Sequence, residues 1–388
     1  MHVTILSYHR DMAQSRITEK ATVSSCSEGG EDSSSLDSLP NDVVAGILLR
    51  LPAQFLHNSA SNVSRKWGEI SESQCFINSH LHTHLSECEF LIQDGNKVQS
   101  LNARDLKLEE TDLGTKFHGR IRGSSDGVLL FNNKSSSSSS SVMDLYVANP
   151  VTMQILKLPN LKSTCMISSH CNNIARVSST GEIKVLRLGR DSLIGMYNWY
   201  VLTLGKEMHW RKITNNNVAN KECDPASYLS YVQSLSVDGV VYWTNSSWIT
   251  DRSVLAVDLC HETTYLLKVP GECHGQYWTL VQMGKEICCM NCGKDVEMKV
   301  WKLNGLHRNE WILVKSIRIP SEISLLRGNF CVPLIWLDYL DVLVLSVYVG
   351  IRNVVVAYNV NKREFRVLKI DDGARHTIFL HTNSLIRF

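Results

Sequence analysis

Apolar positions along this chain follow two different periods, and the change between them divides it. In "LPNDVVAGILLRLP" (39–52), Val43, Val44, Ile47, Leu48 and Leu51 share one face at helical spacing. Pro40 suits a first helical turn, Asp42 places negative charge near the helix N-terminus, and Pro52 stops the helix. Gly46 costs about 1 kcal/mol relative to alanine, so the helix needs support from elsewhere. A second helical pattern uses Phe55, Leu56, Ala60, Val63 and Trp67, and a third short one includes Phe76 and Leu81.

From about residue 120 the pattern becomes strand-like. One unit keeps returning: an apolar strand, a polar turn, then a second strand ending near Leu-Pro, Val-Pro or Ile. It reads "DLYVANPVTMQILKLP" (144–159), "WYVLTLGKEMHWRKI" (199–213), "SVLAVDLCHETTYLLKVP" (253–270), "MKVWKLNGLHRNEWILVKSIRIP" (298–320) and "VVVAYNVNKREFRVLKI" (354–370). Asn149-Pro150, Gly205, His261-Glu262, Asn304-Gly305 and Asn359 supply the turns. Further strands lie upstream of these hairpins, such as "SDGVLLF" (125–131), "GEIKVLRL" (181–188), "VDGVVYW" (237–243) and "GKEICCM" (284–290). Four strands per 45 to 55 residues is the period of a β-propeller-like repeat, with each sheet a blade. Five units are clear. The count is five or six: a sixth would combine residues 88–120 with the final "HTIFLHTNSLIRF", closing the ring with strands from both ends.

The expected organisation is a polar tail over 1–35, a small all-α unit over 36–81, a linker with first strands over 82–120, and an all-β, propeller-like domain of five to six four-stranded repeats over 121–388. The tail ends in "SSCSEGGEDSSS", which buries too little to offset its ordering entropy and is expected to be disordered. The run Ser135–Ser141 is expected to be a solvated surface loop.

Composition narrows the function classes. The 388 residues are 44% hydrophobic, enough for a large core, and the net charge of +2 provides no broad field for nucleic acid. No apolar run is long enough to cross a membrane, and "MHVTILSYHRD" is too short and interrupted for a secretory signal. The expected location is therefore the nucleus or cytoplasm, where the twelve cysteines stay reduced. Cys165, Cys260, Cys288, Cys289 and Cys331 fall in apolar runs and are expected in the core, as are most of Trp199, Trp210, Trp243, Trp278, Trp301 and Trp311.

Candidate chemistry is sparse. "GSSDG" (123–127) matches G-x-S-x-G around Ser125, but a strand follows where a nucleophile elbow needs a helix. Cys289 and Cys292 form one C-x-x-C, and His80, His82, His84 and Cys88 could complete a zinc site, but nothing places the two segments together. Glu109 and Glu110 read as solvated linker charges. Neither a phosphate-binding glycine loop nor a zinc-protease motif is present, so the expectation is a non-catalytic protein without cofactor or metal.

With both halves read, residues 36–81 resemble an F-box, through "LPNDVVAGILLRLP", "VSRKW" (63–67), Phe76 and His80-Leu81. The rest resembles the F-box-associated, kelch- or propeller-like domain of the large plant family, through "GSSDGVLLF", "VANPVTMQILKLP", "VDGVVYW", "AVDLCHETTYLLKVP" and "VWKL". One departure is the stretch between Pro52 and Val63, one residue longer than the family pattern and polar ("HNSASN"). The resemblance implies a substrate receptor of a cullin–RING ubiquitin ligase, whose F-box docks on a Skp-family adaptor while the β domain captures a target protein. It implies adaptor contacts at Leu39, Pro40, Val43, Ile47, Leu48, Leu51, Pro52, Leu56, Val63 and Trp67, with holding the helices together as the alternative role of Ile47, Val63 and Trp67. Target-binding residues do not carry over. The alternative is an interaction module, transcriptional or scaffolding, that works outside a ligase.

Overall fold

A computed structural model describes residues 39–84, 89–94, 97–102, 107–111, 119–134, 143–161, 165–191, 197–214, 234–244, 253–273, 277–292, 297–320, 330–337, 341–349, 352–371 and 377–388. The expected tail (1–35) and the serine run lie outside these residues.

Four helices come first among the described residues: α1 (Asn41–Leu48), α2 (Ala53–Val63), α3 (Arg65–Glu72) and α4 (Gln74–Thr83). Pro40 and Pro52 occupy the N-cap positions of α1 and α2. Two features depart from the periodic reading. Helix α1 ends at Leu48, before Pro52, in a tightened turn where Arg50 and Leu51 donate to the carbonyls of Ile47 and Leu48. Trp67 does not continue the helix of Phe55–Val63. Ser64 adopts an extended backbone (φ −162°, ψ 160°), and its hydroxyl accepts the Trp67 N–H at 3.3 Å, starting α3. A serine that caps the next helix is a chain break that hydrophobic periodicity does not register. Ser73 repeats the device for α4, accepting the Phe76 N–H at 3.3 Å.

The strands among the described residues form six four-stranded antiparallel sheets. Blade 1 pairs β24 (Thr377–His381) with β1 (Glu89–Asp94), β2 (Lys97–Asn102) and β3 (Lys107–Glu110). Blade 2 holds β4 (Arg120–Ser125), β5 (Val128–Lys134), β6 (Met143–Asn149) and β7 (Gln154–Lys157). Blade 3 holds β8 (Cys165–Arg176), β9 (Ile183–Asp191), β10 (Tyr197–Thr203) and β11 (Arg211–Lys212). Blade 4 holds β12 (Leu235–Val237), β13 (Val240–Thr244), β14 (Ser253–Asp258) and β15 (Thr263–Lys268). Blade 5 holds β16 (Tyr277–Met283), β17 (Glu286–Cys292), β18 (Glu297–Leu303) and β19 (Trp311–Arg318). Blade 6 holds β20 (Phe330–Leu337), β21 (Val342–Val349), β22 (Arg352–Asn359) and β23 (Glu364–Asp371).

The ring is therefore six-bladed, and blade 1 is the sheet built from both ends, with Glu89 opposite His381 and Ile92 opposite Ile378. The charged pair Glu109-Glu110 lies on β3 rather than in a linker, and Lys97 reaches Glu110 at 3.9 Å. The first strands line the axis, where β12 of blade 4 approaches β4 of blade 2. Apolar clusters fill the blade interfaces, including Trp199 against Trp243 with ring centroids 4.9 Å apart. Cys288, Cys289 and Cys331 are buried as expected, but Cys260 is exposed in the β14–β15 turn. Its apolar neighbours belong to the strand that ends at Asp258, whose carboxylate accepts the Cys260 N–H at 2.8 Å. The side chain of Cys165 lies outside the described residues.

Two inner hairpins share one turn chemistry. Asp126-Gly127 (φ 50°, 85°) and Asp238-Gly239 (φ 48°, 79°) both take two left-handed residues, the pattern of the Asp-Gly hairpin turn. At Gly127 a second constraint applies. An added Cβ would stand 2.3 Å from the Thr382 carbonyl, because the final segment 382–388 crosses blade 2 at that turn.

Asn149 secures that segment. Its Nδ2 donates to the carbonyls of Ser384 (3.0 Å) and Ile386 (2.8 Å), and its Oδ1 accepts the Val151 N–H (2.9 Å). Leu385 and Ile386 are buried. Replacing Asn149 with alanine strands two buried carbonyls and a buried N–H, at about 1–3 kcal/mol per unsatisfied group. We expect Asn149→Ala to lower the thermal midpoint by several degrees, read by scanning calorimetry, and to expose residues 382–388 to proteolysis.

Candidate functional site

Helix α1 presents two apolar faces. Val44 and Leu48 point inward and are fully buried, whereas Val43 and Ile47 are 44% and 40% exposed. On α2, Ala53, Leu56 and Ala60 are buried, while Phe55 and Val63 are 48% and 42% exposed. Pro40 and Pro52 are exposed, Leu39 and Leu51 are half-buried, and Trp67 is buried on α3. The ten residues taken from the motif thus separate by exposure. Pro40, Val43, Ile47, Pro52 and Val63 face outward, Leu48, Leu56 and Trp67 form the inside, and Leu39 and Leu51 lie between. Phe55 is the outward residue that motif matching passed over. The signal was present, since it stands beside the inward Leu56 and helical neighbours differ by about 100° around the axis.

The link between α1 and α2 is gripped by α4. His80 Nε2 lies 2.8 Å from the Leu51 carbonyl and His84 Nε2 lies 2.8 Å from the Leu49 carbonyl. A carbonyl only accepts, so both Nε2 atoms carry their protons. The two rings stack with centroids 4.2 Å apart, and both are buried. Two of the three histidines that suggested metal ligands, His80 and His84, are thus donors to these carbonyls, while His82 is exposed. Among the described residues, no group of three or more His, Cys, Asp or Glu is arranged to hold a metal ion. Cys289 Sγ instead lies 3.6 Å from Cys273 Sγ, and burial pushes its thiol well above the ordinary value.

The opposite side of α4 rests on the propeller. Arg176, at the end of β8, donates from Nη2 to Asn78 Oδ1 at 2.7 Å and from Nη1 to Asp126 Oδ2 at 3.5 Å. Its backbone N–H donates to Ser125 Oγ at 3.0 Å, which makes the serine of "GSSDG" a turn acceptor between β4 and β5. Burial raises the Asp126 carboxyl above its ordinary value, and the Arg176 guanidinium opposes that shift. A cavity of about 310 Å³ opens here at the axis, lined by Asp126, Arg176, Ser236, Lys285, Leu337 and Thr382, with Leu81 and His82 of α4 at its border. Leu56, Gly68 and Ser71 border one small cavity together with Leu385 and Arg387 of the final segment. Arg387 Nη2 reaches Glu72 Oε1 at 3.0 Å.

Comparison with known proteins gives consistent results. Residues 77–388 match the F-box associated beta propeller domain family. An F-box protein of Arabidopsis thaliana, At5g49610, is 25% identical over 312 residues, covering 75% of this chain and 82% of its own length. A second Arabidopsis thaliana F-box protein, At4g19940, is 23% identical over 338 residues, covering 75% of each. Among solved structures, a nidogen/laminin complex aligns at 12% identity with TM-score 0.41, over 76% of this chain and 99% of that one.

The histidine grip makes a separable prediction. His80→Phe keeps the ring volume but leaves the Leu51 carbonyl without its donor. We expect faster hydrogen exchange at α1 amides, by about tenfold or more for a loss of roughly 1.5 kcal/mol. His80→Gln, which restores an N–H, recovers part of that protection.

Proposed function

Because the chain belongs to the F-box-associated β-propeller family, we propose that it is the substrate-recognition subunit of a Skp–cullin–F-box ubiquitin ligase. In this reading residues 36–81 are the F-box, which docks on a Skp-family adaptor and through it on the cullin and RING subunits. The propeller captures a target protein. The work is done in the nucleus or cytoplasm without bond chemistry, a cofactor or a metal, by raising the effective concentration of target lysines near the charged conjugating enzyme.

The observation that carries the reading is the set of apolar side chains left outward by the helical unit. Val43, Ile47, Phe55 and Val63 are each 40–48% exposed, although the same helices fully bury Val44 and Leu48. Covering the exposed half of each contributes about 1 kcal/mol, before association costs. Pro40 and Pro52 frame that surface, Leu51 borders it, and Leu48, Leu56 and Trp67 support it from beneath, with Leu39 added by the motif. The target surface on the propeller stays unassigned.

Ile47→Asp places a charge on the outward face without touching the buried one. We expect adaptor binding to weaken at least thirtyfold in a purified two-component assay, with circular dichroism and the propeller melting transition unchanged. The double variant Leu39→Ala with Pro40→Ala should act in the same direction. Full adaptor binding by both variants sinks the proposal, and recovery of adaptor without cullin from cells would favour a module that works outside a ligase.

A further inference from the structure

Helix α4 is gripped on both sides, and the two grips form one continuous path. On one side His80 and His84 hold the carbonyls of Leu51 and Leu49, at the link that carries the outward residues of α1 and α2. On the other, Asn78 accepts from Arg176, two residues before His80 and six before His84. Arg176 belongs to the innermost strand of blade 3 and also reaches Asp126 at the inner turn of blade 2. Its side chain is only 5% exposed. One guanidinium therefore touches two blades and the helical unit.

We propose that Arg176 is a positioning residue: it fixes the direction in which the helical unit, and with it the adaptor-docking surface, faces relative to the propeller. The inference rests on the proposed docking role of α1 and α2. A guanidinium suits the task because its N–H groups are held in a rigid plane, so one partner on each prong sets an angle as well as a distance. A lysine ammonium supplies the charge but rotates freely.

The second tie between helices and propeller is weaker. Glu72 and Arg387 are both about half exposed, and an exposed ion pair contributes little. Arg176 is different, since removing one partner from a buried charge leaves it uncompensated. The buried contact therefore decides the orientation, and Arg387 with Glu72 follows it.

Positioning and folding are separable in Arg176→Lys, which keeps the charge, and in Asn78→Ala, which leaves the propeller intact. Azidophenylalanine introduced at Glu69 on α3 and at Lys212 on β11 allows two nitroxide labels without disturbing the native cysteines. Both positions are exposed. Double electron–electron resonance on the full chain then reads the helix-to-propeller distance. We expect a narrow distribution in the parent and a broadened or shifted one in both variants, with adaptor affinity unchanged within about twofold. A distribution that stays narrow in both variants overturns the proposal. So does a matching loss of adaptor affinity, which would make Arg176 a general folding residue. If the parent itself fails to bind a Skp-family adaptor, the proposed function falls, while the width of the distribution still decides whether Arg176 fixes the junction.

Discussion

The antiparallel pairing of β1 with β24 is the contact on which the rest of the molecule depends. A four-stranded blade cannot bury both of its faces alone, so each blade needs a neighbour on either side. Five residue pairs, from Glu89–His381 to Gln93–Thr377, join the two ends of the propeller sequence and give blade 1 its innermost strand. The closure has consequences beyond the ring. It delivers the final segment to blade 2, where Asn149 and Gly127 receive it, and it brings Leu385 and Arg387 beneath α2 and α3. The helical unit thus rests partly on chain that is present only because the ring has closed.

Polar groups at this junction are chosen for direction. Asn149 uses both its amide donor and its carbonyl acceptor on backbone groups, and Arg176 divides its guanidinium between a helix and a blade. Burying such groups costs free energy unless they are bonded, whereas apolar contacts tolerate sliding. The cost is the source of the specificity: a slipped arrangement leaves the same groups buried and unbonded. The helical unit shows the converse at Val43 and Ile47, where apolar surface stays open because nothing within the described residues covers it.

Much of the fold was legible because propeller strands obey local rules. An apolar strand, a polar turn and a second strand return at a spacing of 45 to 55 residues, and strands at the two ends of the chain suggested how a sixth blade would close the ring. What was missed depends on single polar residues or on distant partners. Ser64 divides a pattern that looks continuous by hydrophobicity, because a capping hydroxyl decides where α3 begins. Cys260 reads as core from its neighbours but sits one turn beyond the end of its strand. The motif singled out ten residues, yet their division into outward and inward members was not legible. Helical spacing puts Phe55 and Leu56 on different stripes, but it does not say which of the two meets the other helices.

The same limit explains why α4 attracted least notice in the sequence. Its apolar positions are few, and its histidines suggested metal ligands. In the structure it is held from both sides, by carbonyls of the α1–α2 link and by the end of β8. A helix in that position transmits orientation in a way that an apolar contact cannot, since each of its bonds has a direction and each partner belongs to a different part of the molecule. Asn78, His80 and His84 fall within seven residues of one another, but their partners at Leu49, Leu51 and Arg176 lie elsewhere in the chain, so only the folded arrangement reveals the path.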